Sequence, residues 1–301
     1  MENKMSKKLV THDNKFHADD VFAYAILSLY FEMKGESYEL TRTRDSEIIK
    51  NADIVFDVGG VYDENANRFD HHQVGRAGDR GDLIPYAACG LVWKKFGKEI
   101  CGNNEVWANI DKKIIEPIDA HDNGVTIVSE KFDGLLPYTL SDMVDGFTPV
   151  WNNKEENFDA QFYKAFEVAK IILDREIKNE QARVLAEAEV EKIYKESENK
   201  KLIIFPRHVP WKRAITKYDE PLVALMPRGD GKYQIHAVPK GDPREMVYRQ
   251  YFPAEWAGLR DEELERVTGV KGAIFCHNDR FITVTDSYEA ALALAHIALN
   301  M

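Results

Sequence analysis

The sequence predicts an α/β protein of two domains: an N-terminal domain with a mainly parallel sheet flanked by helices, and a smaller α+β C-terminal domain, joined by a long helical segment. Three observations predict it. From Lys8 to Gly60, strand-like and helix-like segments alternate in the β-α-β-α-β order that builds a parallel sheet with helices on its faces. From about Phe158 to Ser197, a Glu/Lys/Ala-rich stretch carries apolar residues at approximate helical spacing. After Lys200 the texture changes to short apolar runs broken by Pro and Gly. The expected boundaries are 1–155, 156–199 for the helical connector, and 200–301, in keeping with roughly two domains for a chain of 301 residues.

The elements follow in order. Lys8–Thr11 is a short strand, leading into the loop DNKFH. ADDVFAYAILSLYFEM, from Ala18, is a buried helix with Asp19 and Asp20 in its first turn. SYELTRTR alternates as a second strand, SEIIKNA is a short helix, and DIVFDVGG is an apolar strand running into two glycines. VYDENANRFDHH is a hairpin, followed by the Gly/Arg/Asp-rich loop QVGRAGDRGDL. AACGLVWKKFG and EVWANIDKKIIEPIDAHDNG are helices. Pro117 is expected to break or kink the second, and Asp119–Gly124 to form a polar turn. Phe162, Phe166, Ala169, Ile172, Leu173, Ile177, Val184, Leu185 and Ala188 mark the inner face of one or two bridging helices. In the last domain KLIIFPR, PLVALMPR, YQIHAVPK and AIFCHNDRFITV are strands, and GLRDEELERVTG and SYEAALALAHIALN are helices.

Composition narrows the function. No apolar run approaches the ~20 residues of a membrane span, and MENKMSKKLV has no apolar signal core, with Met5 a candidate second start. Three widely spaced cysteines, Cys89, Cys101 and Cys276, form no CxxC pair and suit a reducing, intracellular (most simply cytoplasmic) compartment. Any metal must then be held by oxygen and imidazole. The net charge of −11 argues against a broad basic surface for duplex nucleic acid, but allows a local groove for a short single strand.

The His and Asp residues of the first domain fall at strand ends: His12, His17 and Asp19 after the first strand, Asp57 after the third, Asp70, His71 and His72 after the hairpin, and Asp119, His121 and Asp122 in the next polar segment. Ligands bind where the carboxyl ends of parallel strands line one edge. His nitrogen with Asp oxygen suits Mn²⁺, Fe²⁺, Co²⁺ or Zn²⁺. Six or more such donors are too many for one tetrahedral ion and suit two ions roughly 3.5–4 Å apart. Singly, each residue has an ordinary explanation: Asp19 complements a helix dipole, and Asp57 before Gly59-Gly60 or Asp122-Asn123-Gly124 makes a turn. Four such loops in this order make coincidence a poor account.

HDNKFHAD, IVFDVGG, FDHHQ and DAHDNG resemble the four metal motifs of the DHH phosphoesterase superfamily. THDNKFHADD, RTRD (Arg42–Asp45), DVGGVYD and RFDHHQ are similar to one branch, the Myg-type (melanocyte proliferating gene-like) metal-dependent hydrolases or exonucleases. VPWK (Val209–Lys212), AVPK (Ala237–Lys240), the run Trp256–Leu264 and GVKGAIFCHNDRF extend the resemblance over nearly the whole chain. The first motif departs from the wider superfamily's H-x3-D-x-D, with His17 where an Asp usually stands. The Gly-rich run ending in His is absent, and GAIFCHN, with His277, is the nearest feature.

The resemblance implies a DHH-type N-terminal domain and two divalent ions, foremost Mn²⁺, with Mg²⁺, Co²⁺ or Zn²⁺ as alternatives. It implies His12 and His17 as ligands of one ion, Asp19 and His71 of the other, and Asp57 and Asp122 joining both, with Asp119 a rival to Asp122. His72 would face the phosphate and Asp70 would orient a histidine. Arg44, Lys212, Lys240, Arg249 and His277 are the candidate substrate-binding residues. The expected activity is a metal-dependent phosphodiesterase, a 3′–5′ exonuclease on RNA or short single-stranded oligonucleotides. The alternatives are a pyrophosphate, cyclic dinucleotide or small phosphoester hydrolase with the same site, and a noncatalytic metal-binding regulator. The long helix also suits a homodimer.

Overall fold

The computed structural model describes residues 6–81, 83–242 and 245–300, so Met5 and Asp82 of the Gly/Arg/Asp-rich loop lie outside the described residues. It divides into two compact units that part between Gln181 and Ala182.

The first unit opens with β1 (Lys7–Thr11), α1 (Ala18–Lys34), β2 (Tyr38–Arg42), α2 (Ser46–Lys50), β3 (Ile54–Phe56) and the hairpin β4 (Tyr62–Asp63) with β5 (Arg68–Phe69). The sheet order is β2-β1-β3-β5-β4. β1 runs parallel to β2 and β3, β3 parallel to β5, and only the hairpin pairing is antiparallel, so the sheet is mainly parallel as expected. The β-α-β alternation explains why: each crossover helix returns the chain to the same edge.

α1 begins where the sequence places it. His17 is extended at the N-cap, its N–H donates to Asp20 Oδ1 at 2.9 Å, and left-handed Gly35 ends the helix. Val21, Phe22, Ile26 and Leu27 are fully buried, each contributing about 1.5–3 kcal/mol through burial. That packing fixes the position of the helix N-terminus and of the two aspartates on it.

After the loop come α3 (Ala88–Val92), a π-helical segment (Trp93–Gly97), α4 (Lys98–Cys101), α5 (Asn104–Ile110), a second π segment (Asp111–Ile115), α6 (Glu116–Asp122) and α7 (Leu140–Asp145). The expected break at Pro117 does not occur. Pro117 lies in the first turn of α6, directly after the π segment, where a missing N–H costs little. Nor is Asp119–Gly124 a turn throughout. Asp119 to Asp122 form the last turn of α6, and the turn itself is Asn123 with left-handed Gly124.

A single helix, α8 (Phe158–Glu196), spans the expected connector. Up to Ile177 its buried face is the expected one, through Phe162, Phe166, Ala169 and Leu173. Beyond the unit boundary the buried positions are Ala186, Val190 and Tyr194, while Leu185 is exposed. The stripe is re-phased because each unit packs its own segment of the helix.

In the second unit β6 (Leu202–Ile204), β7 (Val223–Pro227), β8 (Tyr233–Ala237), β9 (Ala273–Cys276) and β10 (Ile282–Thr285) form a mixed sheet of order β6-β7-β8-β10-β9. α9 (Lys212–Ile215), α10 (Asp261–Thr268) and α11 (Tyr288–Leu299) accompany it. Its main core joins Leu225, Ile235, Phe252, Trp256 and Leu264 to the inner face of α11.

Candidate metal centre

Three parallel strands end on the same chemistry. β1 runs into His12, β3 into Asp57 and β5 into Asp70-His71-His72. The N-terminus of α1 adds Asp19 and Asp20, and the last turn of α6 adds Asp122. Asp57 is held at φ 53, in the left-handed region, as the chain turns into Gly59 and Gly60, also left-handed. Such backbone is costly for a residue with a Cβ and clusters at functional sites.

The side chains converge. His12 Nε2 lies 3.0 Å from Asp57 Oδ2 and 3.4 Å from Asp20 Oδ2. His71 Nε2 lies 3.3 Å from both Asp57 Oδ1 and Asp122 Oδ2, and 3.7 Å from Asp19 Oδ2. The donor atoms form three triads: His12–Asp20–Asp57, Asp57–His71–His72 and His17–Asp19–Asp122. Asp57 belongs to two of them. His12 and His17, expected to share one ion, fall in different triads.

Asp70 supports this cluster from behind. Its Oδ1 accepts the His71 and His72 backbone N–H groups at 2.7 and 3.1 Å and meets His72 Nδ1 at 2.7 Å, and its Oδ2 accepts the Gly60 N–H at 2.6 Å. With Nδ1–H directed at Asp70, His72 Nε2 is left for the cavity, and its side chain is 63% exposed. His12 is oriented similarly, with Nδ1 3.0 Å from the Asp13 carbonyl.

The electrostatics record crowding of negative charge. Burial, then Asp57, Asp122 and Asp20, push the Asp19 carboxyl well above the usual range. Burial also lifts Asp20, to about 7, and raises Asp122. Burial opposes a charged His12, yet Asp57 and Asp20 lift it to about 9, and His71 is raised in the same way. Burial would raise Asp57, but His12 and His71 hold it below the ordinary carboxylate range. Meanwhile both oxygens of Asp19, Asp20 Oδ2, Asp57 Oδ1 and His71 Nε2 are buried without a hydrogen-bond partner. Buried polar atoms are nearly always satisfied. Five convergent exceptions, all acceptor oxygens or an imidazole nitrogen, fit divalent cations.

Of the cluster, His17, Asp19, Asp57, His71, His72 and Asp122 line a cavity of about 640 Å³ whose walls also include Lys15, Gln73, Arg76, His121, Asn123, Ser141 and Asp145. Asp119 is not part of it. Its carboxylate is fully buried, accepting from Arg80 Nε and Nη2 at 2.9 and 2.7 Å and from the Gly90 N–H at 2.9 Å. Burial pushes it up to about 7 against the pull of Arg80.

Asp20 is the donor that sequence reasoning passed over. Its signal is its place next to Asp19, where the sequence assigns a ligand role to Asp19 and only a helix-start role to Asp20. Arg44 pairs with Asp13, beside His12. Lys212, Lys240, Arg249 and His277 belong to the second unit. There the Arg249 guanidinium serves the carbonyls of Thr216, Tyr218 and Pro221, His277 Nδ1 accepts the Asp279 N–H at 3.0 Å, and Lys240 is exposed.

Residues 8–299 match the MYG1_exonuc family, described as an uncharacterised protein family (UPF0160). The MYG1 exonuclease of Rattus norvegicus is 30% identical over 97% of this chain and 84% of its own length. That of Homo sapiens is 29% identical over 97% and 85%. The MYG1 protein of Chlamydia trachomatis is 28% identical over 99% and 98%. A crystal structure of RecJ from Thermus thermophilus in complex with Mn²⁺ aligns with 98% of this chain and 52% of its own, at 12% identity and a TM-score of 0.28, a likeness too low to carry any argument.

Proposed function

The chain belongs to the MYG1_exonuc family, and from that premise we propose that it is a metal-dependent phosphodiesterase, a 3′–5′ exonuclease acting on RNA or short single strands. It is an enzyme, a hydrolase of phosphoester bonds. One observation carries the metal-dependent reading: buried acceptors of Asp19, Asp57 and His71 that have no hydrogen-bond partner line one cavity. A protein without a cation to place there would gain by satisfying or replacing them.

His12, His17, Asp19, Asp57, His71 and Asp122 would hold two divalent ions, Mn²⁺ foremost, with Asp20 completing the set beside His12. When bound, such ions supply hydroxide near neutral pH and neutralise charge on phosphoryl oxygens. The chain's own residues do the rest. Asp70 fixes the ring of His72 through Nδ1 and leaves Nε2 toward the phosphate, where the imidazolium form would donate a hydrogen bond or a proton. Asp57 joins the two sides of the cluster through its two oxygens. The open cavity admits a strand end, and the acidic chain favours short single strands over long duplexes.

The test is a substrate panel with Mn²⁺-loaded protein. Stepwise release of mononucleotides from 5′-labelled RNA is the expected result. Phosphate release from pyrophosphate alone would replace the nuclease with a small-substrate hydrolase. Bound metal with no turnover on RNA, single-stranded DNA, pyrophosphate or cyclic dinucleotides would contradict the proposal.

A further inference from the structure

Arg76 lines the cavity but takes no part in the carboxylate–histidine cluster. The same cavity presents Asp19, Asp57, Asp122 and Asp145, yet no carboxylate among the described residues lies within ion-pair distance of the Arg76 guanidinium. Instead Nη1 donates to Asn123 Oδ1 at 3.0 Å, a neutral acceptor. Asn123 is itself fixed, its amide donating to the carbonyls of Pro85 and Asp119 at 3.1 and 2.9 Å. One donor of the fork is thus held by Asn123, and the exposed guanidinium lines the cavity with no ion-pair partner among the described residues.

The backbone makes the choice of residue more telling. Arg76 sits at φ 58, in the left-handed region that glycine occupies at no steric cost. The turn does not depend on the arginine side chain: Arg76 N–H donates to the Gln73 carbonyl, and Gln73 Nε2 to the Arg76 carbonyl, both at 2.9 Å. A glycine would close the same turn more cheaply, as Gly75 does next to it at φ 83. The turn therefore gives no reason for a guanidinium at this position.

We propose that Arg76 is a substrate-anchoring residue that binds the non-bridging oxygens of a substrate phosphate at the cavity wall. The proposal rests on the phosphodiesterase reading of the site. A guanidinium presents planar paired donors that match phosphate oxygens. Clamped by Asn123, it is pre-organised and loses little freedom when the anion arrives. In an acidic chain, a fixed cation beside the cluster offsets the repulsion of a polyanionic strand.

The turn geometry supplies the test. Arg76→Gly removes the guanidinium while suiting the backbone, so its melting temperature should equal or exceed that of the native chain. With Mn²⁺ and 5′-labelled single-stranded RNA, KM should rise about tenfold or more, with kcat within about threefold and Mn²⁺ content unchanged. The salt dependence of log KM should flatten by about 0.7, the loss of one phosphate contact to a single strand. Arg76→Lys should recover only part of the loss. Calorimetric binding of adenosine 5′-monophosphate to the Mn²⁺-loaded protein runs in parallel. Turnover with native KM and salt slope in Arg76→Gly would overturn the anchoring role alone. Arg76-dependent nucleotide binding without any turnover would overturn the hydrolase reading and leave the anchor standing. No turnover, with nucleotide binding absent or indifferent to Arg76, would overturn both.

Discussion

Asp19 and Asp119 are two aspartates of the same unit, 1% and 0% exposed, and the chain treats them in opposite ways. Asp119 is fully provided for. Arg80 donates to one of its oxygens and Gly90 to the other, Arg80 also reaches Asp111 at 2.6 Å, and its guanidinium packs over Tyr86. Asp19 has no hydrogen-bond partner on either oxygen: His71 Nε2 stands 3.7 Å from its Oδ2, and Asp57, Asp122 and Asp20 crowd it. Burying a carboxylate is costly unless it is paired. The Asp119 network meets that cost within the protein and ties loop, α3, the π segment and α6 together. The Asp19 cluster leaves it unmet, which makes sense where a cation from outside completes the site. Satisfaction, rather than composition, separates the two buried acids.

The largest expected effect comes from the residue shared by two triads. Asp57→Ala should abolish Mn²⁺ binding and lower turnover on the order of a thousandfold or more, as befits several kcal/mol of lost charge stabilisation. Normal metal content and turnover in this variant, measured by elemental analysis and single-turnover kinetics, would break the functional side of the comparison.

Breaking the structural side should cost stability rather than chemistry. Arg80→Met strands Asp119 and is expected to destabilise the chain by about 3–5 kcal/mol in chemical denaturation. The double change Arg80→Met with Asp119→Leu should recover much of that loss, since a buried ion pair is often replaceable by apolar groups. No recovery would mean that the network does more than neutralise one buried acid.

His72→Ala sharpens the division within RFDHHQ. Metal should remain, because His12, Asp19, Asp20, Asp57, His71 and Asp122 are untouched, while kcat should fall by about 10²–10⁴, the scale of a positioned proton donor. A kcat close to the native value would remove His72 from the reaction.

The smallest effect is a reversal of sign. In EDTA, Asp19→Asn relieves repulsion and should raise the stability of the chain. With saturating Mn²⁺ the native chain should be the more stable one, because bound ligand adds about 2.7 kcal/mol at a hundred times Kd. Melting curves under both conditions decide it. The same order in both would make Asp19 an ordinary buried acid.

How much of this was legible beforehand follows from the range of each interaction. The parallel sheet, the start of α1 at Ala18 and the strand-end positions of His12, Asp57 and His71 follow from signals that periodicity and glycines mark locally, while Asp122 joins them from the last turn of α6. Asp20 was hidden because two adjacent helix-start acids have the same local explanation, and only packing reveals that both are buried. The Arg80–Asp119 pair spans 39 positions, so nothing near RAGDRGD points to its partner. Pro117 misled because the π segment before it absorbs the break, and Leu185 because the buried stripe of α8 changes phase between the units. Local rules read local structure, and these residues answer to tertiary contacts.

Divalent cations should complete the buried cluster around Asp57. Equilibrium binding of Mn²⁺ to metal-stripped protein, counted per chain, tests it most directly. The expected result is two ions per native chain and none held tightly by Asp57→Ala. A native chain that binds no Mn²⁺, or that binds it equally well without Asp57, would contradict it.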